Sequence, residues 1–185
     1  MNVWRFKQAA QCLRHGGIIA YPTEAVFGLG CDPQNIEAIQ RLLALKQRAW
    51  QKGLILIAAN FEQLEPYVQT LEPSLLQQLQ QAWAEDVVTW LVPAKLEVSP
   101  WVRGTSEKIA VRVTRHPEAA ALCQQFGGAI ISTSANRAGQ TALRTALQVR
   151  SKFGNDIDQI IFGAVGQRSR PSEIRDALTG QVLRG

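Results

Sequence analysis

Short apolar runs that stop at turn residues alternate along this chain with segments of helical period, and this alternation constrains the fold more than any single motif does. Ile18-Ile19-Ala20-Tyr21 stops at Pro22, and Leu54–Ala58 follows Gly53. Val87–Val92, Ile109–Val113, Ala129–Ser132 and Gln159–Phe162 have the same character, so each reads as a strand. Between them, residues 4–15 place Phe6, Ala9, Ala10 and Leu13 on one helical face, and Gly16-Gly17 ends the segment. Residues 34–45 do the same with Ile36, Ile39, Leu42 and Leu43, and further helices are expected at 118–126 and 145–153. Phe61–Val68 and Pro73–Trp83 are amphipathic segments, and Glu173–Leu183 reads as a hairpin turning at Thr179-Gly180. No linker, repeat or low-complexity run divides the chain. The expectation is one α/β domain over residues 1–185, a mixed sheet flanked by helices.

A chain of 185 residues buries a core without disulfides or a structural metal. Cys12, Cys31 and Cys123 are odd in number, widely spaced and without a Cys-x-x-Cys pair. That excludes a disulfide framework, argues against zinc, and favours a reducing, cytoplasmic setting with each cysteine a small buried residue. No apolar run approaches the roughly 20 residues that cross a bilayer, so no membrane role is expected. The formal charge of +5 is uneven: residues 1–100 carry a net −1 and residues 101–185 a net +6. This balance is compatible with a nucleotide or nucleic acid, without requiring either.

Two polar islands carry the chemical signal. Lys46, Arg48 and Lys52 follow a helix and precede the strand Leu54–Ala58, so they are expected on a connecting loop at the sheet edge, and Ser132, Thr133, Ser134 and Asn136 follow Ala129-Ile130-Ile131. Open α/β sheets take ligands at strand ends, so the islands mark a site there for an anion with several hydrogen-bonding groups. Lysine and arginine grip phosphate, and phosphoryl or nucleotidyl transfer needs cations where charge builds on the leaving oxygens. The same cations would equally suit a solvated helix C-terminus, and the hydroxyls a turn or cap.

Tyr21-Pro22-Thr23-Glu24 projects two polar groups from a strand end. Arg112 lies inside a strand, on the face opposite Val111 and Val113, and there it needs an anionic partner or an open edge. His116 reads as structural. The chain has no phosphate-loop, dinucleotide or nucleophile-elbow motif, so any catalysis would rest on positioning and charge.

Five ordered motifs carry a resemblance: Tyr-Pro-Thr-Glu-Ala-Val-Phe-Gly-Leu-Gly (21–30), Lys-x-Arg-x-x-x-Lys-Gly-Leu-Ile-Leu-Ile (46–57), Val-Arg-Val-Thr-Arg-His-Pro (111–117), Ser-Thr-Ser-Ala-Asn (132–136) and Pro-Ser-Glu-Ile-Arg-Asp (171–176). Together they make the chain resemble, from end to end, the YrdC/TsaC family of threonylcarbamoyl-AMP synthases in its short bacterial form. The resemblance implies a twisted α/β sheet with a basic concave cleft. It implies a nucleotidyltransferase that takes L-threonine, bicarbonate and ATP with Mg2+ to threonylcarbamoyl-AMP and pyrophosphate. A tRNA-modifying threonylcarbamoyl transferase complex would be its partner.

Carried over by similarity, Lys46, Arg48 and Lys52 would hold the ATP phosphates, with Lys46 and Arg48 catalytic. Ser132, Ser134 and Asn136 would fix nucleotide and carbamate, with Arg144 and Ser172 near the nucleotide. Thr23 and Arg112 would position threonine. The chain departs from the family where a Trp-Pro-Gly-Pro turn is usual and Ala84-Glu85-Asp86-Val87 stands instead. On a cleft rim, Glu85 and Asp86 would oppose ATP. Alanines at 49 and 129 and Arg170 also replace usual family residues. The alternative reading is a non-catalytic paralogue that binds tRNA or rRNA directly. A carbamoyl-phosphate-using relative is disfavoured because its additional segments are missing.

Overall fold

In the computed structural model, which describes residues 3–184, the apolar runs become strands β1 (Ile19–Pro22), β2 (Phe27–Gly30), β3 (Ile55–Ala58), β4 (Val88–Pro93), β5 (Lys108–Val113), β6 (Ile130–Ser134), β7 (Gln159–Ile160), β8 (Glu173–Asp176) and β9 (Val182–Arg184). They lie side by side in the order β7-β1-β2-β6-β3-β5-β4-β8-β9. Three neighbouring pairs, β1/β7, β3/β5 and β4/β8, are parallel, and the others are antiparallel. The sheet is therefore mixed, as expected, and the tail is the expected hairpin, β8 with β9.

Helices α1 (Val3–Arg14), α2 (Ile36–Lys46), α3 (Pro73–Glu85), α4 (Pro100–Arg103), α5 (Pro117–Phe126) and α6 (Ala146–Phe153) flank it. Strand alternation sorts the core into two layers. Ile19, Tyr21, Ile57 and Ile130 turn toward α1 and α5, where Phe6, Leu13, Ala119 and Leu122 cover them. Ala20, Leu56, Ala58 and Ile131 turn the other way, into the layer that holds Ile39 and Leu42 of α2, Leu79 and Trp83 of α3, and Val149 and Phe153 of α6.

Phe61–Val68, read as amphipathic, forms successive turns with Phe61, Leu64 and Val68 buried, pinned by an isolated bridge from Val68 to Ala94. Strand β2 and the one-turn α4 were not anticipated. Strand β6 runs on through Ser134 rather than stopping at Ser132. Cys31 and Cys123 are buried as expected, whereas Cys12 is half-exposed.

The connection after β7 places the site. Strands β7 and β8 are consecutive in the chain, yet six strands separate them in the sheet. Residues 161–172 join them as a strap that first follows β1 and its turn, where Ile161, Gly166 and Arg168 donate to the Ala20, Thr23 and Glu24 carbonyls, and then reaches β8.

Candidate active site

The register of the sheet gathers the polar residues on one face. Gly28 pairs with Ser134, Ser132 with Ile55, Ile55 with Ala110, and Ile57 with Arg112. Paired residues share a face, so Gly28, Ser132, Ser134, Ile55 and Arg112 belong to the face that α1 and α5 cover at Ile57 and Ile130. Beyond those helices the face forms the floor of a cavity of about 130 Å³, with the strap residues Arg168, Arg170, Pro171 and Ser172 along its lining. The cavity stands on the sheet face, and Thr23, Ile55, Ser134 and Ser172 in its lining sit at or next to the ends of β1, β3, β6 and β8.

A second cavity of about 200 Å³ adjoins it, and Arg48, Thr133 and Ser134 line both. Lys46, Lys52 and Asn136 line the second cavity. Six lysine and arginine side chains thus line the pair, against one carboxylate, Glu24.

Helix α2 explains the first cluster. Asn35 caps its start by accepting the Ala38 N–H at 2.9 Å, a cap worth about 1 kcal/mol. Its end turns sharply at Gln47, whose φ of 52° is left-handed. A non-glycine residue there costs about 1–2 kcal/mol, and the turn carries the chain from Lys46 to Arg48 and the cavities.

Lys46, expected on a loop, is instead the buried last residue of α2. Its ammonium donates to the carbonyls of Ser134 and Asn136, the latter at 2.7 Å, and to Asn136 Oδ1 at 3.3 Å. Burial, and then the nearby charge of Arg48, push its pKa down to about 8. Arg48 donates to the Gly53 carbonyl at 2.9 Å. Lys52 ends the single 3-10 turn Trp50–Lys52 and is exposed.

Asn136 is tightly held, accepting Ser134 Oγ at 2.6 Å and donating to the Gln140 carbonyl at 2.6 Å. Thr23 is buried and donates its hydroxyl to the Val26 carbonyl at 2.7 Å, closing the β1–β2 turn. Arg112 has the anionic partner its position demanded: Nη2 lies 3.3 Å from Glu24 Oε2, and Nη1 donates to Ser172 Oγ at 3.0 Å. Ser172 also meets Thr89 Oγ1 at 2.8 Å, which puts it at the arginine end of the cavity. Arg144 lines neither cavity; it is exposed and donates to the Arg168 carbonyl at 3.4 Å.

Glu85 and Asp86 do not line the cavities. Asp86 is ion-paired with Arg168 and accepts the Val87 N–H at 2.7 Å. That hydrogen bond first, and Arg168 as well, hold its carboxyl below the usual range. Glu85 accepts from Gln81 at 3.0 Å. His116 is structural, its ring nitrogen 3.1 Å from the Ala164 carbonyl on the strap. Arg168 and Arg170 line the cavity without having been read as site residues, and Glu24, noted beside Thr23 in the sequence, had been given no role.

The Sua5–YciO–YrdC family model, described as telomere recombination, matches residues 11–185. A threonylcarbamoyl-AMP synthase of Nitrosococcus oceani is 54% identical over 181 residues, 98% of this chain and 97% of that protein. One from Cellvibrio japonicus is 50% identical over 180 residues, 97% of this chain and 95% of that protein. Among solved structures, P. abyssi Sua5 complexed with L-threonine has a TM-score of 0.88 at 29% identity over 95% of this chain. This chain spans 52% of that Sua5, about half its length. E. coli YciO, at 24% identity over 99% of this chain and 89% of its own, shares the fold with a TM-score of 0.82.

Proposed function

The chain belongs to the Sua5–YciO–YrdC family, and on that premise we propose that it is a threonylcarbamoyl-AMP synthase. The observation that carries this reading is that Arg48, Arg112, Ser132 and Ser134 all line one cavity. Cations for phosphates and for an amino-acid carboxylate thus stand within one ligand's reach, with hydroxyls between them.

In this reading the threonine amine takes up bicarbonate, losing water, to give a carbamate. A carbamate oxygen attacks the α-phosphorus of ATP, and the bond to the β-phosphate oxygen breaks to release pyrophosphate. A carbamate is a weak, unstable nucleophile, so confinement and charge compensation matter more than a strong base. Arg48 and Lys52 hold the phosphates and offset charge on the leaving group. Lys46 adds its charge from beneath and fixes the Ser134–Asn136 turn, which orients the hydroxyls toward nucleotide and carbamate. Arg112 receives the threonine carboxylate beside Thr23.

Magnesium arrives as the counterion of ATP. Among the described residues no group of three His, Cys, Asp or Glu could hold a metal, and Glu24 is committed to Arg112. The adenylate then passes to a tRNA-modifying threonylcarbamoyl transferase complex, in the cytoplasm. None of the described helices is long and apolar enough to cross a membrane.

Pyrophosphate release with ATP, magnesium, bicarbonate and threonine, each omitted in turn, tests the reading, with mass spectrometry for the adenylate. Release that depends on both threonine and bicarbonate is expected; release indifferent to either would overturn it. Direct contact with tRNA or rRNA is a separate reading, favoured by residues 119–155, which carry four cations and no acid. Affinity for tRNA that falls steeply with salt would support it, and no binding at low salt would end it.

A further inference from the structure

Glu24 has no part in the chemistry above, yet it is the one carboxylate lining the cavity and its side chain is only 8% exposed. Its two oxygens do different work. Oε1 accepts the Thr114 hydroxyl at 2.6 Å, the Arg115 N–H at 3.0 Å and the His116 N–H at 3.3 Å. These three donors follow directly on β5, the strand that carries Arg112, so they fix the carboxylate in rotation. Oε2 is thereby left facing Arg112 Nη2 at 3.3 Å.

Arg112 is equally enclosed, its side chain 9% exposed. A buried guanidinium without a counter-charge would turn toward water or a carbonyl. Glu24 on one nitrogen and Ser172 on the other set the plane of the fork, and a planar fork binds a carboxylate well in one orientation only. Burial alone would raise the Glu24 carboxyl; Arg112, the Thr114 hydroxyl and backbone donors outweigh it and hold Glu24 below the usual range. Glu24 is therefore ionised at neutral pH.

We propose that Glu24 is a positioning residue for the amino-acid substrate, holding Arg112 in the orientation that receives the substrate carboxylate. This rests on the reading that Arg112 meets the threonine carboxylate. Glu24→Gln keeps an oxygen for the β5 donors but presents no charge to Arg112. It is expected to raise the KM for threonine about tenfold while the KM for ATP stays within about twofold. Glu24→Asp keeps the charge at shorter reach and should recover part of that loss.

Steady-state pyrophosphate release by the full chain, varying threonine and ATP separately, reads these effects, with Arg112→Lys alongside. If Glu24→Gln leaves the threonine KM unchanged, or raises both KM values alike, the positioning role is overturned. If Arg112→Lys leaves the threonine KM unchanged, the reading beneath it fails first. Should Glu24→Gln not fold, Glu24→Asp carries the test: a threonine-selective rise supports the role, and an unchanged threonine KM overturns it.

Discussion

The Lys46 ammonium reaches across from the end of α2 to the Asn136 carbonyl at 2.7 Å, tying the helix to the turn that follows β6. The two polar islands, distant in sequence, are thus joined through the buried Lys46. Lys46→Met keeps the aliphatic stem and removes the donors, leaving the Ser134 and Asn136 carbonyls short of a partner. A stability loss of about 1–3 kcal/mol is expected from denaturant unfolding. Pyrophosphate release should fall about 100-fold in the same variant. A lysine that only gripped phosphate would cost activity and leave unfolding unchanged.

The same lysine gives opposite pH responses in stability and activity. Its folded-state pKa of about 8 lies below the ordinary 10.5. Below about 8 both states hold the proton, and the burial penalty on the charge is fully present. Between about 8 and 10.5 the unfolded chain binds more protons, so this group's contribution to stability rises with pH. Denaturant midpoints of the wild type should therefore gain on those of Lys46→Met across that window. Activity should decline there as the cation is lost. A midpoint difference flat from pH 8 to 10.5 would mean that burial does not depress Lys46.

Asp86 holds Arg168 at the cavity's border, where both side chains are substantially exposed. Removing the acid in Asp86→Asn should change stability by no more than about 1 kcal/mol. It frees Arg168 for an anionic ligand, so the KM for ATP should fall about two- to threefold at low ionic strength and less in high salt. An unchanged KM would show that Arg168 does not reach the triphosphate.

Two glycines of β2 separate packing from binding. A Cβ on Gly30 would lie 2.4 Å from the Ile131 carbonyl oxygen, which is backbone and cannot yield. Gly30→Ala should cost about 1–3 kcal/mol by thermal or denaturant unfolding. At Gly28 the nearest atoms are Thr23 Cγ2 at 3.1 Å, Cζ of the buried Tyr21 at 3.3 Å and Ser132 Oγ at 3.4 Å, so only side chains stand in the way, two of them lining the cavity. Gly28→Ala should unfold closer to wild type but raise the KM for threonine about fivefold. Equal effects from the two would detach Gly28 from the site.

What the sequence made legible was whatever repeats with a period. The apolar face of α1 and the alternation in β5, which placed Arg112 opposite Val111, were readable; on α2 Ile39, Leu42 and Leu43 are buried as read, but Ile36 is exposed. Strand β2 was not, because Phe27-Gly28-Leu29-Gly30 alternates apolar residues with glycine, a poor strand former. Its glycines are there because Thr23 and Tyr21 press against them, a tertiary reason invisible in the local pattern. Lys46 was misplaced for a related cause, since a lysine closing a helix ordinarily faces solvent. Arg144 was carried over from the family resemblance, and it lies outside the lining of both cavities. The pairing of Asp86 with Arg168, 82 residues apart, had no local signature at all.

The strap of residues 161–172 is sewn to the β1–β2 turn where Gly166 and Arg168 donate to the Thr23 and Glu24 carbonyls at 2.9 and 3.2 Å. It behaves as a belt that leaves the sheet at β7 and returns at β8, stitched on the way to His116 and Asp86 as well. Deleting a few of its residues would pull out those stitches instead of trimming a surface loop. Because the same belt carries Ser172 to Arg112, loosening it would slacken the binding floor.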